Sequence, residues 1–120
     1  SRPGVTPRVE LHDMTGDGRP EIVTWTGGGG SYEMRLDLTV HQWTPAGPQP
    51  IFTRALVRLR GATAERAVAT ICGRILSLQP ARRAGDAPFA VEPVPGAQRQ
   101  SWRFSAAQRR FIPSQTHCTP

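Results

Sequence analysis

The sequence predicts an all-β fold, a small antiparallel sheet or sandwich built from hairpins, and three observations carry that prediction. Residues 34–43 (MRLDLTVHQW) place Met34, Leu36, Leu38 and Val40 on one side and Arg35, Asp37, Thr39 and His41 on the other. That two-residue period belongs to a strand with one buried and one wet face. Residues 21–26 (EIVTWT) are β-branched and aromatic and are bounded by turn residues on both sides, the composition of a second strand. Proline and glycine each contribute 12 of 120 residues, and that proline share is about twice the usual 5%. Turns therefore come often, and the segments between them suit strands. The length fits one domain, residues 1–120, with a single core.

The elements follow in order. Residues 5–12 alternate as a first strand, with Val9 and Leu11 on one face and Arg8, Glu10 and His12 on the other, and they end at an acidic turn. Residues 21–26 return as its partner. The four glycines 27–30 then break that strand and read as a mobile loop, because glycine has too much conformational freedom to continue it. After the strand at 34–43, Thr44-Pro45-Ala46-Gly47-Pro48 is a turn. Residues 51–60 come back with Ile51, Ala55, Val57 and Leu59 inward and Arg54, Arg58 and Arg60 outward.

The segment at about 64–79 supports two readings. Val68, Ile71, Cys72, Ile75 and Leu76 recur at helical spacing, which would make the fold α+β. Gly73 would then sit in mid-helix at a cost of about 1 kcal/mol, whereas Cys72-Gly73 suits the turn of a hairpin joining AVATI to RILSL. The hairpin is preferred because everything around it is β. Residues 80–88 read as loop and 89–94 as a short strand. Residues 99–104 and 109–112 form a last hairpin whose Trp102, Phe104 and Phe111 fill the end of the core.

The 15 basic residues are all arginine, against 9 acids, for a net charge of +6. Such a charge draws anionic partners, but the arginines are spread from Arg2 to Arg110 and read mostly as solvated strand faces. With only Cys72 and Cys118, a four-sulfur metal site is excluded. Either the two form one disulfide, which ties down the C-terminal tail, or one is a buried thiol and the other a free thiol. No apolar run approaches the roughly 18 residues of a membrane helix, so no membrane span is expected. The start at Ser1-Arg2-Pro3-Gly4 is compatible with the mature end left by a removed export signal.

The acidic turn reads Asp13-Met14-Thr15-Gly16-Asp17-Gly18-Arg19-Pro20-Glu21. A hard cation such as calcium takes six to eight oxygens, and a tight loop supplies several by turning alternate side chains inward. Asp13, Thr15 and Asp17 alternate in that way, Gly16 and Gly18 permit the wrap, the Arg19 carbonyl can point in, and Glu21 closes the set. An EF-hand is excluded, since its twelfth position would be Thr24, inside a strand. The alternative is that Asp13 and Asp17 cap the turn through backbone amides with no ion.

The order Asp-x-Thr-Gly-Asp-Gly-x-Pro-Glu followed by Ile-Val-Thr-Trp resembles the FG-GAP or VCBS-type repeat over residues 9–26, and loosely to Phe52. The resemblance implies calcium as cofactor, side-chain ligands at Asp13, Thr15, Asp17 and Glu21, and a carbonyl ligand at Arg19. Thr15 and Glu21 depart from the family's usual acids, which implies weaker affinity. It also implies a propeller relationship. The chain has room for about two blades, so the expectation is a smaller sheet, a sandwich or a partial propeller-like arrangement.

Absence of lysine removes the Walker loop and lysine Schiff-base chemistry, and neither a nucleophile elbow nor a zinc-type histidine pair is present. The expectation is a non-enzymatic, calcium-stabilised binding or structural module, exported to the periplasm, cell surface or exterior, with a protein or glycan partner. The alternative is a basic domain binding anions or nucleic acid through Arg54, Arg58 and Arg60, with Trp43 or Trp102 for stacking. Nucleic acid is the less favoured partner.

Overall fold

Short alternating segments and turn glycines assemble into one antiparallel meander. The computed structural model describes residues 8–30, 32–87 and 89–118, so residues 5–7 of the expected first strand lie outside it. The described residues form β1 (Arg8–His12), β2 (Glu21–Gly29), β3 (Glu33–Thr44), β4 (Gly47–Arg60), β5 (Thr63–Cys72), β6 (Ile75–Arg83), β7 (Val91–Pro93), β8 (Gln100–Ser105) and β9 (Arg110–Ser114). They pair in the order β1-β2-β3-β4-β5-β6-β8-β9, with β7 added beside β6. The sheet does not close into a barrel, and no helix occurs among the described residues.

The helical alternative at 64–79 is thereby set aside. β5 and β6 form a hairpin whose last pair, Cys72↔Ile75, closes on the two-residue turn Gly73-Arg74. Gly73 supplies the positive φ of 57° that the first central position of such a turn needs. Both strands also gain outside partners, β4 for the start of β5 and β8 for the start of β6. A helix at these residues would satisfy only its interior backbone amides internally. Here neighbours on both sides offer the same satisfaction together with core burial for Leu76.

Two other expectations are corrected. Most of the glycine run is strand rather than loop: Gly27, Gly28 and Gly29 continue β2 against Leu36, Arg35 and Met34, and Gly30 falls outside it. Gly29 is confined to glycine because any Cβ there would run into the Glu33 carbonyl and the Met34 backbone. Residues 80–83 are strand rather than loop, since Pro80 pairs with Ala67 and Ala81 with Pro93. In β1 the alternation is as expected, and pairing with β2 decides which face meets the core. Val9 and Leu11 are each 63% exposed, while Arg8, itself exposed, shares the Trp25 side of the sheet and lays its guanidinium 3.9 Å from that ring's centre.

Two bulges correct the reading of β4. Its partner β3 pairs Val40 with Phe52 but His41 with Pro50, and Leu36 with Val57 but Asp37 with Ala55. Ile51 and Leu56 are therefore the extra residues, and each resets which way the following side chains point. Phe52, Leu56 and Val57 are buried, whereas Ala55, expected inward, is exposed.

The bulged strand lets the meander fold back on itself. Phe52 of β4 meets Trp102 of β8 at 5.4 Å and Phe111 of β9 at 4.9 Å between ring centres, although β4 is not paired with either strand. Phe104 meets Phe111 edge-on at 5.6 Å. Tilted aromatic pairs of this kind add about 0.5–1.5 kcal/mol each beyond area burial. The rest of the core is Val23, Trp25, Leu38, Val40, Leu76, Phe89 and Met14. Cys72 and Cys118 are joined in a disulfide that spans 46 residues and fastens the end of β5 to the C-terminal segment.

Candidate functional site

The β1–β2 connection is built around its own acids. The strands end on the pair His12↔Glu21, which leaves residues 13–20 to make the turn. Asp13 accepts the Gly16 N–H on Oδ1 at 2.9 Å and the Gly18 N–H on Oδ2 at 3.0 Å. Asp17 accepts the Arg19 N–H at 2.8 Å. These bonds wrap the chain only because Gly16 and Gly18 hold φ of 81° and 82°. Glu21 closes the turn from inside. Its Oε1 accepts the Met14 and Thr15 N–H groups at 2.7 and 3.0 Å, and its Oε2 accepts the Thr15 hydroxyl at 3.2 Å. Glu21 is only 2% exposed, so these donors replace the water its carboxylate loses. Met14, 1% exposed, reaches into the core and anchors the loop.

The backbone N–H of Arg19 is the main cause holding the Asp17 carboxyl below its ordinary value of 3.8, and slight burial works against it.

All five loop positions named from sequence thus lie on one tight turn, and the amide capping weighed against a metal is part of its geometry. Capping does not exhaust the donors. An ionised carboxylate offers about four lone-pair sites, and Asp13 uses two, Asp17 one and Glu21 three of them in the described bonds. The hard-oxygen chemistry suits calcium. Among the described residues, however, no three carboxylate, imidazole or thiol groups stand together as a ready metal cluster. Holding an ion would require Asp13, Asp17 and Glu21 to draw closer than the capped turn places them.

The three arginines expected on one strand face are divided. Arg58 and Arg60 pair with Arg35 and Glu33, on the outer side of β3, while Arg54 pairs with Leu38, on its buried side. The Leu56 bulge lies between them and causes the change. Arg58 is 3.8 Å from Glu33, and neighbouring Arg35 is 3.2 Å from Asp37, so that outer surface is charge-compensated. Arg54 instead stacks its guanidinium 4.3 Å from the Phe52 ring centre and 5.1 Å from that of Trp102. Trp43 is 65% exposed and stands beside the acidic loop with Leu11, Pro20 and Ile22.

A polar chain running from exposed His117 to buried serines was not legible in sequence. His117 Nδ1 and Ser101 Oγ share a hydrogen bond of 2.6 Å, Ser101 and Ser77 share another, and Ser77 accepts the Cys118 N–H at 2.8 Å. Ser77 and Ser101 lie 24 positions apart and became neighbours only when β6 paired with β8. With Ser77 and Ser101 both buried, this chain positions the disulfide segment. His12 bonds Glu10 and His41 bonds Thr24, each on a strand as expected.

No protein-family model matches the chain, and no curated protein or solved structure matches it.

Proposed function

We propose that the protein is a non-enzymatic β module whose β1–β2 turn responds to calcium and fixes the relative position of the two strands. The observation that carries this reading is the loop itself: Asp13, Thr15, Asp17, the Arg19 carbonyl and Glu21 gathered on one turn, with glycine at both positions of positive φ. In this reading the ion draws the acids inward, stiffens the turn and, through Met14, couples it to the core. Export is part of the proposal, and the Cys72–Cys118 disulfide supports it, since such bonds persist in oxidising compartments. A protein or glycan partner would meet the exposed strands and loops. No helix among the described residues is long and apolar enough to cross a membrane.

Calorimetry and thermal melting in calcium and in chelator test the reading. Calcium should give a binding heat and raise the melting temperature, and Asp17→Ala should lower that temperature chiefly in calcium. Neither heat nor a shift at millimolar calcium, or equal destabilisation by Asp17→Ala with and without the ion, would remove calcium from the proposal.

The anion-binding alternative loses its simplest form, because one contact cannot engage Arg54 together with Arg58 and Arg60 on opposite sides of the sheet. Arg54 alone, stacked on two rings, retains an anion-facing geometry.

A further inference from the structure

The crease where the meander folds back is lined by charges that the loop does not use. β5 serves two neighbours in succession. Residues up to Arg66 pair with β4, and residues from Ala67 pair with β6. Where it changes partner, a groove of about 590 Å³ opens between β4, β5, β6 and β8, and its lining includes Arg54, Glu65, Arg66, Gln79, Gln100 and Trp102. That volume falls within the roughly 300–1,000 Å³ range of small-molecule sites.

Two features make this groove more than a gap. Neither Arg54 nor Arg66 belongs to an ion pair among the described residues, and the one acid in the lining, Glu65, is paired with Arg58 in the β4–β5 register and also lines the outer surface with Arg35, Arg58 and Arg60. The Nε–H of Arg66 is buried and has no hydrogen-bond acceptor. A buried donor without an acceptor is costly, and a small turn of the Arg66 side chain toward an anion in the groove would supply what it lacks. Arg54 is held in place for the same task. Its guanidinium is stacked against Phe52 and Trp102, and one Nη1–H is tied to the Thr53 carbonyl at 2.8 Å. Its remaining donors are thus oriented with little loss of side-chain freedom.

We propose that this groove binds a small organic anion, a carboxylate or phosphate carried on a sugar-sized body, with Arg66 and Arg54 as the groups that recognise the charge. The planar guanidinium fork matches both anions in two-point contact. The Gln100 amide offers hydrogen bonds to hydroxyls, and Trp102, with Leu78 and Ala67 behind it, forms the apolar wall. This inference is independent of the calcium reading, because it uses none of the loop residues.

The test is titration by calorimetry in chelator-containing, low-salt buffer with glucuronate, glucose 6-phosphate and neutral glucose. Saturable binding of at least one charged sugar, with much weaker binding of glucose, is the expected result. Response to one charged sugar alone identifies its anion as the ligand group. Arg66→Gln and Arg54→Gln should each weaken binding about tenfold or more, as loss of a charge-assisted hydrogen bond does, and Arg60→Gln, on the opposite side of the sheet, should leave it unchanged. The proposal is overturned if neither charged sugar binds, if glucose binds equally well, or if a folded Arg66→Gln protein binds as wild type does. Should Arg66→Gln fail to fold, undiminished binding by Arg54→Gln overturns it instead.

Discussion

Gly16, in the acidic β1–β2 turn, lies directly under the guanidinium of Arg74, in the β5–β6 turn, so closely that a side-chain carbon at Gly16 would collide with it. The loop at one end of the sheet is thereby set against the hairpin that carries Cys72. Gly18 provides an internal control, since it has nearly the same φ but nothing within 4 Å of the position a Cβ would take. Gly16→Ala and Gly18→Ala should each cost about 1–2 kcal/mol from the left-handed backbone alone. The Arg74 guanidinium is the far end of an exposed, flexible side chain that can swing aside, so the excess at Gly16 should stay within about 0.5 kcal/mol and vanish in an Arg74→Ala background. Denaturant unfolding of the four single and double variants measures it. A large excess at Gly16 that survives in the Arg74→Ala background would place its cause elsewhere than Arg74.

Acid should loosen the turn only at low pH. The folded Asp17 carboxyl is held below its ordinary value, chiefly by the Arg19 N–H. A depressed carboxyl contributes stability that is fully present above its unfolded value, near 3.9, and is lost as pH falls through the lower folded value. In chelator, the melting-temperature difference between wild type and Asp17→Asn should therefore stay constant from neutral pH to about 5 and shrink only below about 4. A difference that shrinks between pH 7 and 5 would contradict this account.

Reducing the disulfide should be strongly destabilising. A cross-link spanning 46 residues removes denatured-state entropy equivalent to roughly 4 kcal/mol in the chain-entropy model. The denaturant midpoint should fall markedly in reductant, and the slope should rise, because the unlinked denatured chain is less compact. Thiol titration of the unreduced, denatured protein should find no free thiol, and finding two would remove the bridge.

The bulges in β4 invert the consequences of two neighbouring substitutions. Leu56, 4% exposed, should cost about 2–5 kcal/mol on truncation to Ala. Ala55, expected inward from alternation alone, is exposed, so Ala55→Ser should change stability by less than about 0.5 kcal/mol. Thermal or denaturant unfolding of the pair distinguishes the bulged register from a regular one.

Strand positions, the last hairpin and the acidic turn were readable from the residues because each is a local property. Period-two alternation marks 34–43 wherever it sits, Gly73 marks a turn wherever it falls, and Asp13, Asp17 and Glu21 are spaced within one bend. Tertiary structure decided what alternation cannot. It reports that Val9 and Leu11 share a face but not which face meets the core, and only pairing with Thr24 and Ile22 turned them outward. Arg54 parted from Arg58 and Arg60 because a bulge is a mismatch between two strands, which neither strand's sequence contains. Most of the glycine run became strand because Leu36, Arg35 and Met34 lay beside it to supply hydrogen bonds. The joining of Cys72 to Cys118, the Ser77–Ser101–His117 chain and the Arg54–Arg66 groove all arise where segments distant in the chain meet. Local physics sets the period and the turn, whereas which surfaces face each other depends on the free energy of the whole folded sheet.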